Sequence, residues 1–126
     1  MDVDSWSLTV KHEYRIHLPM DKSALDKILK EYRKGLKALF GEQLVSVTLY
    51  GSVARGEDHE GSDIDLLCVL RSPFDYAEAI RRSSELTAQL SLENDVVLSR
   101  VFVSEDDLMV RDLPFFMNIR REGVPV

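Results

Sequence analysis

The residues best suited to chemistry lie between Tyr50 and Leu67, where the chain reads YGSVARGEDHEGSDIDLL. Asp63 and Asp65 stand one residue apart at the head of an apolar run. Because a β-strand repeats every two residues, both carboxylates would lie on one face, with Cα atoms roughly 6.5–7 Å apart. Two hard oxygen donors at that spacing suit Mg²⁺ or Mn²⁺ together with substrate phosphates. The pair is therefore a candidate metal site; the alternative is a solvated strand end.

The dipeptide Gly51-Ser52 is a candidate phosphate site, because it follows an apolar strand pattern and precedes a turn ending in Arg55. Glycine lets the backbone approach a phosphate closely, and turn N–H groups and the Ser52 hydroxyl can bond its oxygens. Arg55 adds a cation that can clamp phosphate. A polar loop from Gly56 to Gly61 leads to Ser62, a second candidate nucleotide ligand. Taken singly, Gly51-Ser52 and Ser62 also fit ordinary turns.

Asp95 is the candidate third carboxylate. Two-metal displacement at phosphorus would be completed by an acid on a strand beside the first pair. Asp95 begins the next strand pattern along the chain, so we expect it to act with Asp63 and Asp65 as a catalytic and metal-binding set. The alternative places the functional position two residues later, at Val97. In that case the chain would bind nucleotide and transfer it poorly.

Hydrophobic periodicity predicts the elements that position these residues. Alternation over residues 1–18 predicts a strand that either extends the sheet edge or forms a surface covered by a second chain, as in a homodimer. A helical period predicts a helix from Asp21 to about Phe40, stopped by Gly41. The remaining predicted elements are strands at 45–50 and 64–70, a helix from Ser72 to about Leu92, a strand at 95–103, a short helix after Ser104 and a last helix after Pro114.

The composition narrows the function class. A chain of 126 residues with 44% hydrophobic content predicts a single α/β domain over 1–126, with its core strands within 44–103. Sixteen basic and 22 acidic residues give a net charge of −6, which argues against long nucleic acid but permits a nucleotide brought with Mg²⁺. The single Cys68 and the lack of a long apolar run or leader pattern indicate a reduced, cytoplasmic setting without membrane association.

The stretch GSVARGEDHEGSDIDLL resembles the signature of minimal nucleotidyltransferases (MNT), a branch of the DNA polymerase beta-like nucleotidyltransferase superfamily. The ending PFFMNIRREGVPV is also similar to the end of MNT sequences, with Ile119, Glu122 and Gly123 at the matching positions. The resemblance implies a mixed β-sheet with helices packed against it, metal binding by Asp63 and Asp65, and triphosphate binding by Gly51 and Ser52. The matching positions of the first motif are Gly51, Ser52, Ala54, Arg55, Gly56, Ser62, Asp63, Asp65 and Leu66.

The resemblance also implies an activity: Mg²⁺- or Mn²⁺-dependent transfer of a nucleoside monophosphate, AMP from ATP, to an acceptor hydroxyl. Similar small proteins are antitoxins that neutralise HEPN-domain ribonuclease toxins, so a HEPN-type partner is expected. One alternative is an MNT-like binding protein with weak or no catalysis, which acts by complex formation. Another is an antibiotic nucleotidyltransferase, which is disfavoured because those enzymes usually carry an additional helical domain.

Overall fold

The computed structural model describes residues 21–59, 61–110 and 113–126, so the predicted N-terminal strand at 1–18 lies outside the described residues. Its elements, in chain order, are helix α1 (Lys22–Phe40), a 3-10 turn (Gly41–Gln43), strand β1 (Leu44–Tyr50), short helix α2 (Gly51–Ala54), β2 (Ile64–Leu70), α3 (Tyr76–Asn94), β3 (Leu98–Ser104), α4 (Glu105–Val110), α5 (Pro114–Glu122) and β4 (Val124–Pro125).

The strands form one mixed sheet in the order β3-β2-β1-β4. Strand β1 pairs antiparallel with β2 and with β4, whereas β2 pairs parallel with β3 across the α3 connection. The register places Tyr50 beside Asp65, and Asp65 beside Ser99. The predicted fold class, a mixed sheet with helices packed against it, is confirmed.

Local sequence signals explain the helix ends. Asp21 caps α1, its Oδ2 accepting a hydrogen bond from the Ala24 N–H at 3.3 Å, and Gly41 ends the helix at φ 57°. Both ends are as predicted. Helix α3 begins later than predicted, because Asp75 rather than Ser72 provides its N-cap.

The two faces of the sheet are packed differently. On the face called here the core face, Ile64 and Leu66 of β2 pack against α1 and α3 in a large cluster of buried side chains. On the opposite face, called here the α5 face, Leu67 and Val69 form a small cluster with Ile119 of α5. Since strand side chains alternate, Asp65 lies on the α5 face with Leu67 and Val69.

A polar network lies within the core face. The hydroxyl of Tyr32 on α1 is 2.7 Å from Oγ1 of Thr87 on α3. The Thr87 hydroxyl in turn donates to the carbonyl of Ser83 at 2.7 Å. Arg100 of β3 donates from Nε to the Ser83 hydroxyl at 3.0 Å. These contacts satisfy buried polar groups and join α1, α3 and β3.

Among the residues that the structure describes, no helix is long and apolar enough to cross a membrane.

Candidate functional site

The chain turns sharply at the end of β1, and Gly51 makes that turn. Its φ of 77° lies in the left-handed region that favours glycine. A Cβ at this position would lie 2.3 Å from Oδ2 of Asp65, closer than any contact between non-bonded heavy atoms. The absence of a side chain therefore lets the start of α2 come directly against the carboxylate of β2. The predicted candidates Gly51, Ser52 and Asp65 are brought together by this close approach.

The two acids of β2 stand in different surroundings. Asp63 is exposed and precedes the strand, while Asp65 is half-buried within it. Burial raises the pKa of the Asp65 carboxyl, the negative charge of Asp63 raises it further, and the Arg55 guanidinium opposes both effects. The site thus concentrates negative charge, and a bound cation would relieve that repulsion.

Arg55 is held by two carboxylates. Its Nε lies 2.9 Å from Oε2 of Glu57, and its Nη1 lies 3.5 Å from Oε2 of Glu122 at the end of α5. The predicted phosphate clamp is therefore also a link between α2 and α5. A phosphate reaching Arg55 would share or replace these carboxylate partners, and the clamp role of Arg55 stays a prediction.

A cavity of about 230 Å³ lies between the β1 turn and α5. Tyr50 and Arg55 line one side, and Phe115 and Glu122 line the other. The Tyr50 and Phe115 rings meet edge to face with centroids 5.5 Å apart. Burial, and then the charge of Asp65, raise the pKa of Tyr50. These α5 residues were not among the predicted site residues, although the Ile-x-x-Glu-Gly ending was the signal for them.

Ser62 closes the polar loop before the acid pair. Its Oγ accepts a hydrogen bond from the His59 N–H at 2.8 Å, and its own N–H donates to the His59 carbonyl at 2.9 Å. This geometry is that of a turn residue. Its hydroxyl proton is not used in that bond, so the predicted role of Ser62 as a nucleotide ligand stays a prediction.

Asp95 does not begin a strand, so that part of the prediction is wrong. It is the C-cap of α3, in the left-handed conformation at φ 51°, and β3 begins only at Leu98. Within the described ranges, no three His, Cys, Asp or Glu side chains stand close enough to hold a metal ion together. The structure therefore brings Asp63 and Asp65 together but does not bring Asp95 to them, and a ligand role for Asp95 stays a prediction.

The donors present fit a divalent cation that arrives with phosphates. Mg²⁺ is usually held by one or two carboxylates and completes its shell with water and phosphate oxygens. Asp63 and Asp65 supply such a pair, and Gly51 at the start of α2 stands directly against Asp65. The arrangement is suited to holding a polyphosphate by positioning and charge neutralisation.

Comparisons with known proteins agree with this geometry. The profile of the nucleotidyltransferase domain family matches residues 29–122. An inferred protein adenylyltransferase of Methanocaldococcus jannaschii is 32% identical over 99 residues, which are 78% of this chain and 93% of that protein. A second one from the same organism is 30% identical over 75% of this chain, and the chain spans only 65% of its length.

Solved structures show the same fold. An inferred nucleotidyltransferase from Sulfolobus solfataricus superposes with a TM-score of 0.56 at 20% identity, covering 83% of this chain and 86% of that one. An inferred minimal nucleotidyltransferase gives a TM-score of 0.51 at 24% identity, covering 81% of this chain and 95% of that one. A mutant of the toxin–antitoxin MntA–HpeT gives 0.52 at 22% identity, covering 81% and 70%.

The fold and the matched residues define a nucleotidyltransferase domain, and the chain belongs to that family. The nucleotidyltransferase family that the motif predicted is thus confirmed, and the fold is shared with an inferred minimal nucleotidyltransferase. The enzyme class expected from Asp63, Asp65 and the Gly51-Ser52 turn is confirmed at this level.

Proposed function

We propose that this chain transfers AMP from ATP to an acceptor hydroxyl, with Mg²⁺ or Mn²⁺ bound by Asp63 and Asp65. The observation that supports the proposal is the close approach of Gly51 to the Asp65 carboxylate, because the proposed phosphate-binding turn then stands against the proposed cation-binding acid. Membership of the nucleotidyltransferase family and relatives described as protein adenylyltransferases support it.

Each residue has a role in this proposal. The Ser52 hydroxyl and the N–H groups at the start of α2 bind phosphate oxygens, and Arg55 neutralises the charge of the departing pyrophosphate. When bound, the metal supplies Lewis-acid polarisation and neutralises phosphate charge. The acceptor oxygen attacks the α-phosphorus, the bond to the β-phosphate oxygen breaks, and the acceptor proton passes to water. The protein acts by positioning rather than by forming a covalent bond.

We further propose a HEPN-type toxin as the protein that carries the acceptor hydroxyl. Structures of similar fold come from toxin–antitoxin complexes, and one of them is described as MntA–HpeT. The net charge of −6 complements a basic, RNA-binding partner. A cytoplasmic location is part of this proposal.

A second candidate function is neutralisation of the partner by binding alone. It is favoured by one observation: the described residues place no third acid beside Asp63 and Asp65. A metal site formed by two carboxylates can bind a nucleotide–metal complex while transferring slowly.

Calorimetric titration with ATP and Mg²⁺, followed by transfer of labelled AMP to the co-expressed partner, tests the proposal. We expect Asp63→Asn and Asp65→Asn each to lower metal-dependent ATP affinity by about 100-fold or more, because even outer-shell partners of metal ligands contribute 10–100-fold. Asp106→Asn, the same chemical change on α4 beyond the opposite end of β3, should bind like the wild type. If the wild type does not bind ATP with Mg²⁺, the enzymatic proposal fails. If label is never transferred and both Asn variants still neutralise the partner, the binding function is correct.

A further inference from the structure

The start of β3 lies beside the acid pair Asp63 and Asp65. The parallel register pairs Ile64 with Leu98 and Asp65 with Ser99. The ladder continues one residue earlier, where the Ile64 N–H donates to the Val97 carbonyl at 2.8 Å. Val97, which directly precedes β3, and Ser99 of β3 therefore flank Asp63 and Asp65, and neither of them carries a charge.

Val97 is an apolar residue that the packing of the sheet does not bury. Its side chain is 56% exposed, whereas the adjacent Leu98 is 4% exposed and belongs to the core face. Strand alternation turns Val97 away from the core face, to the same side as Asp63. Neighbouring strands lie about 4.8 Å apart, so a carboxylate at position 97 would stand within reach of a cation held by Asp63.

We infer that, among the described residues, the metal site consists of the two carboxylates of Asp63 and Asp65, that the neighbouring positions Val97 and Ser99 leave it without a third charged ligand, and that one acid placed at position 97 completes it. The inference rests on the proposed function of Asp63 and Asp65. It concerns the strength with which the chain holds its cation, and it identifies Val97 as the residue that limits this strength.

The experiment is a titration of the full chain with Mn²⁺ alone, followed by calorimetry, for the wild type and Val97→Asp. We expect the variant to lower the Mn²⁺ dissociation constant at least about tenfold, because a third charged oxygen donor joins the first two. Without metal, three neighbouring carboxylates repel, so its melting temperature should fall below that of the wild type. Saturating Mn²⁺ should then raise the melting temperature more in the variant than in the wild type.

Two control variants separate ligation from other effects. Val97→Asn introduces a side chain of nearly the same shape as Val97→Asp does, but without the charge. It should leave the Mn²⁺ affinity near that of the wild type. Met109→Asp adds the same charge at a position that is 77% exposed on α4, past the other end of β3. Both controls should show less than a threefold change, since the general field of one exposed charge is screened by salt.

If Val97→Asp binds Mn²⁺ no more tightly than either control, the inference is overturned. If Val97→Asp lacks native circular dichroism, Ser99→Asp, which the register places beside Asp65, is judged by the same tenfold criterion. Wild-type binding of Mn²⁺–ATP that depends on Asp63, combined with no gain in either acid variant, overturns this inference but leaves the proposed function in place. Absence of wild-type binding, again without gain, overturns both.

Discussion

The core face and the α5 face of the sheet differ in their packing and in their charged groups. On the core face, a large cluster of buried side chains joins β2 to α1 and α3, and a hydrogen-bonded chain through Tyr32 and Thr87 satisfies its polar groups. On the α5 face, the buried cluster is small, and charged groups stand near its edge.

This difference predicts which substitutions should alter stability and which should alter ligand binding. Dense apolar packing provides most of the free energy of folding, whereas sites that bind ligands are drawn from less tightly packed regions. Asp65 is half-buried on the α5 face beside Asp63, an arrangement that carries an electrostatic cost. Changes on the core face should therefore alter stability with little effect on binding, and changes near Gly51 should alter ATP binding.

The largest effect is expected from Leu36→Ala on the core face. Leu36 is 0% exposed on α1, so its truncation leaves a cavity and should lower the free energy of unfolding by about 2–5 kcal/mol. Urea unfolding measures this loss. Leu92→Ala, at a position that is 83% exposed, should change stability by less than about 0.5 kcal/mol. A loss of ATP affinity in folded Leu36→Ala protein would contradict the separation of the two faces.

Gly51→Ala should have the next largest effect on stability and the largest on binding. A non-glycine residue at positive φ carries roughly 1–3 kcal/mol of strain, and the new Cβ would also meet Asp65. The matched control is Gly41→Ala, which has a φ of 57° but no heavy atom within 4 Å of the added Cβ. Both variants should unfold more easily, while calorimetry should show loss of ATP binding only for Gly51→Ala. Equal ATP binding by the two variants would refute a functional role for the close approach.

Tyr32→Phe should show a smaller effect that depends on pH. At neutral pH the variant loses one buried hydrogen bond, which contributes about 1 kcal/mol. Burial raises the pKa of Tyr32 to about 12, outweighing the hydrogen bond to Thr87 that lowers it. Unfolded tyrosine ionises near pH 10, so between pH 10 and 12 the wild type loses stability as the pH rises, and Tyr32→Phe lacks this loss.

Unfolding curves of wild type and Tyr32→Phe at several pH values between 8 and 12 test this prediction, since their difference cancels the titration of other groups. The stability advantage of the wild type should be constant below pH 10 and shrink above it. An advantage that grows with pH would show that the phenol ionises more easily in the folded state.

The smallest effect on stability is expected at the link between Arg55 and Glu122, because both side chains are partly exposed. Exposed pairs contribute about 0–1 kcal/mol. In the exchanged variant Arg55→Glu with Glu122→Arg, we expect the coupling between α2 and α5 to return but not the binding of ATP, because the proposed phosphate clamp requires a cation at position 55. A double-mutant cycle gives the coupling, with Arg81→Glu on α3 as a remote control for charge reversal. Recovery of ATP binding in the exchanged variant would show that Arg55 only positions α5.

Much of this organisation could be predicted from local sequence. The periodicity and caps of α1 predicted both of its ends, and the alternation in β2 placed Asp63 and Asp65 on one side. The turn at Gly51 followed from a strand pattern ending in glycine and serine. These features depend on residues that are near each other along the chain.

The remaining features depend on tertiary structure. Ser72 and Asp75 are both good N-caps, and the chain uses the second one. Asp95 looked like the start of a strand, but aspartate tolerates the left-handed conformation that ends α3, and sequence alone does not reveal which it adopts. Strand β4 has two residues and is defined by its pairing with β1, so it is too short for hydrophobic periodicity to predict it. The link from Arg55 to Glu122 spans 67 positions.

The mixed pairing of the sheet also has a consequence for the order of folding. Strands β1 and β2 are consecutive strands that pair antiparallel across the connection of residues 51–63, so Gly51 and Asp65 can meet when these neighbouring segments close. Strand β3 pairs parallel with β2, so this pairing requires the α3 crossover between them. Closing this longer connection costs more chain entropy before any contact between the two strands forms. We expect the turn at Gly51 and the two acids to form as one early unit, with Val97 and Ser99 joining them afterwards. The charged half of the proposed metal site is thus also the half that the chain can assemble first.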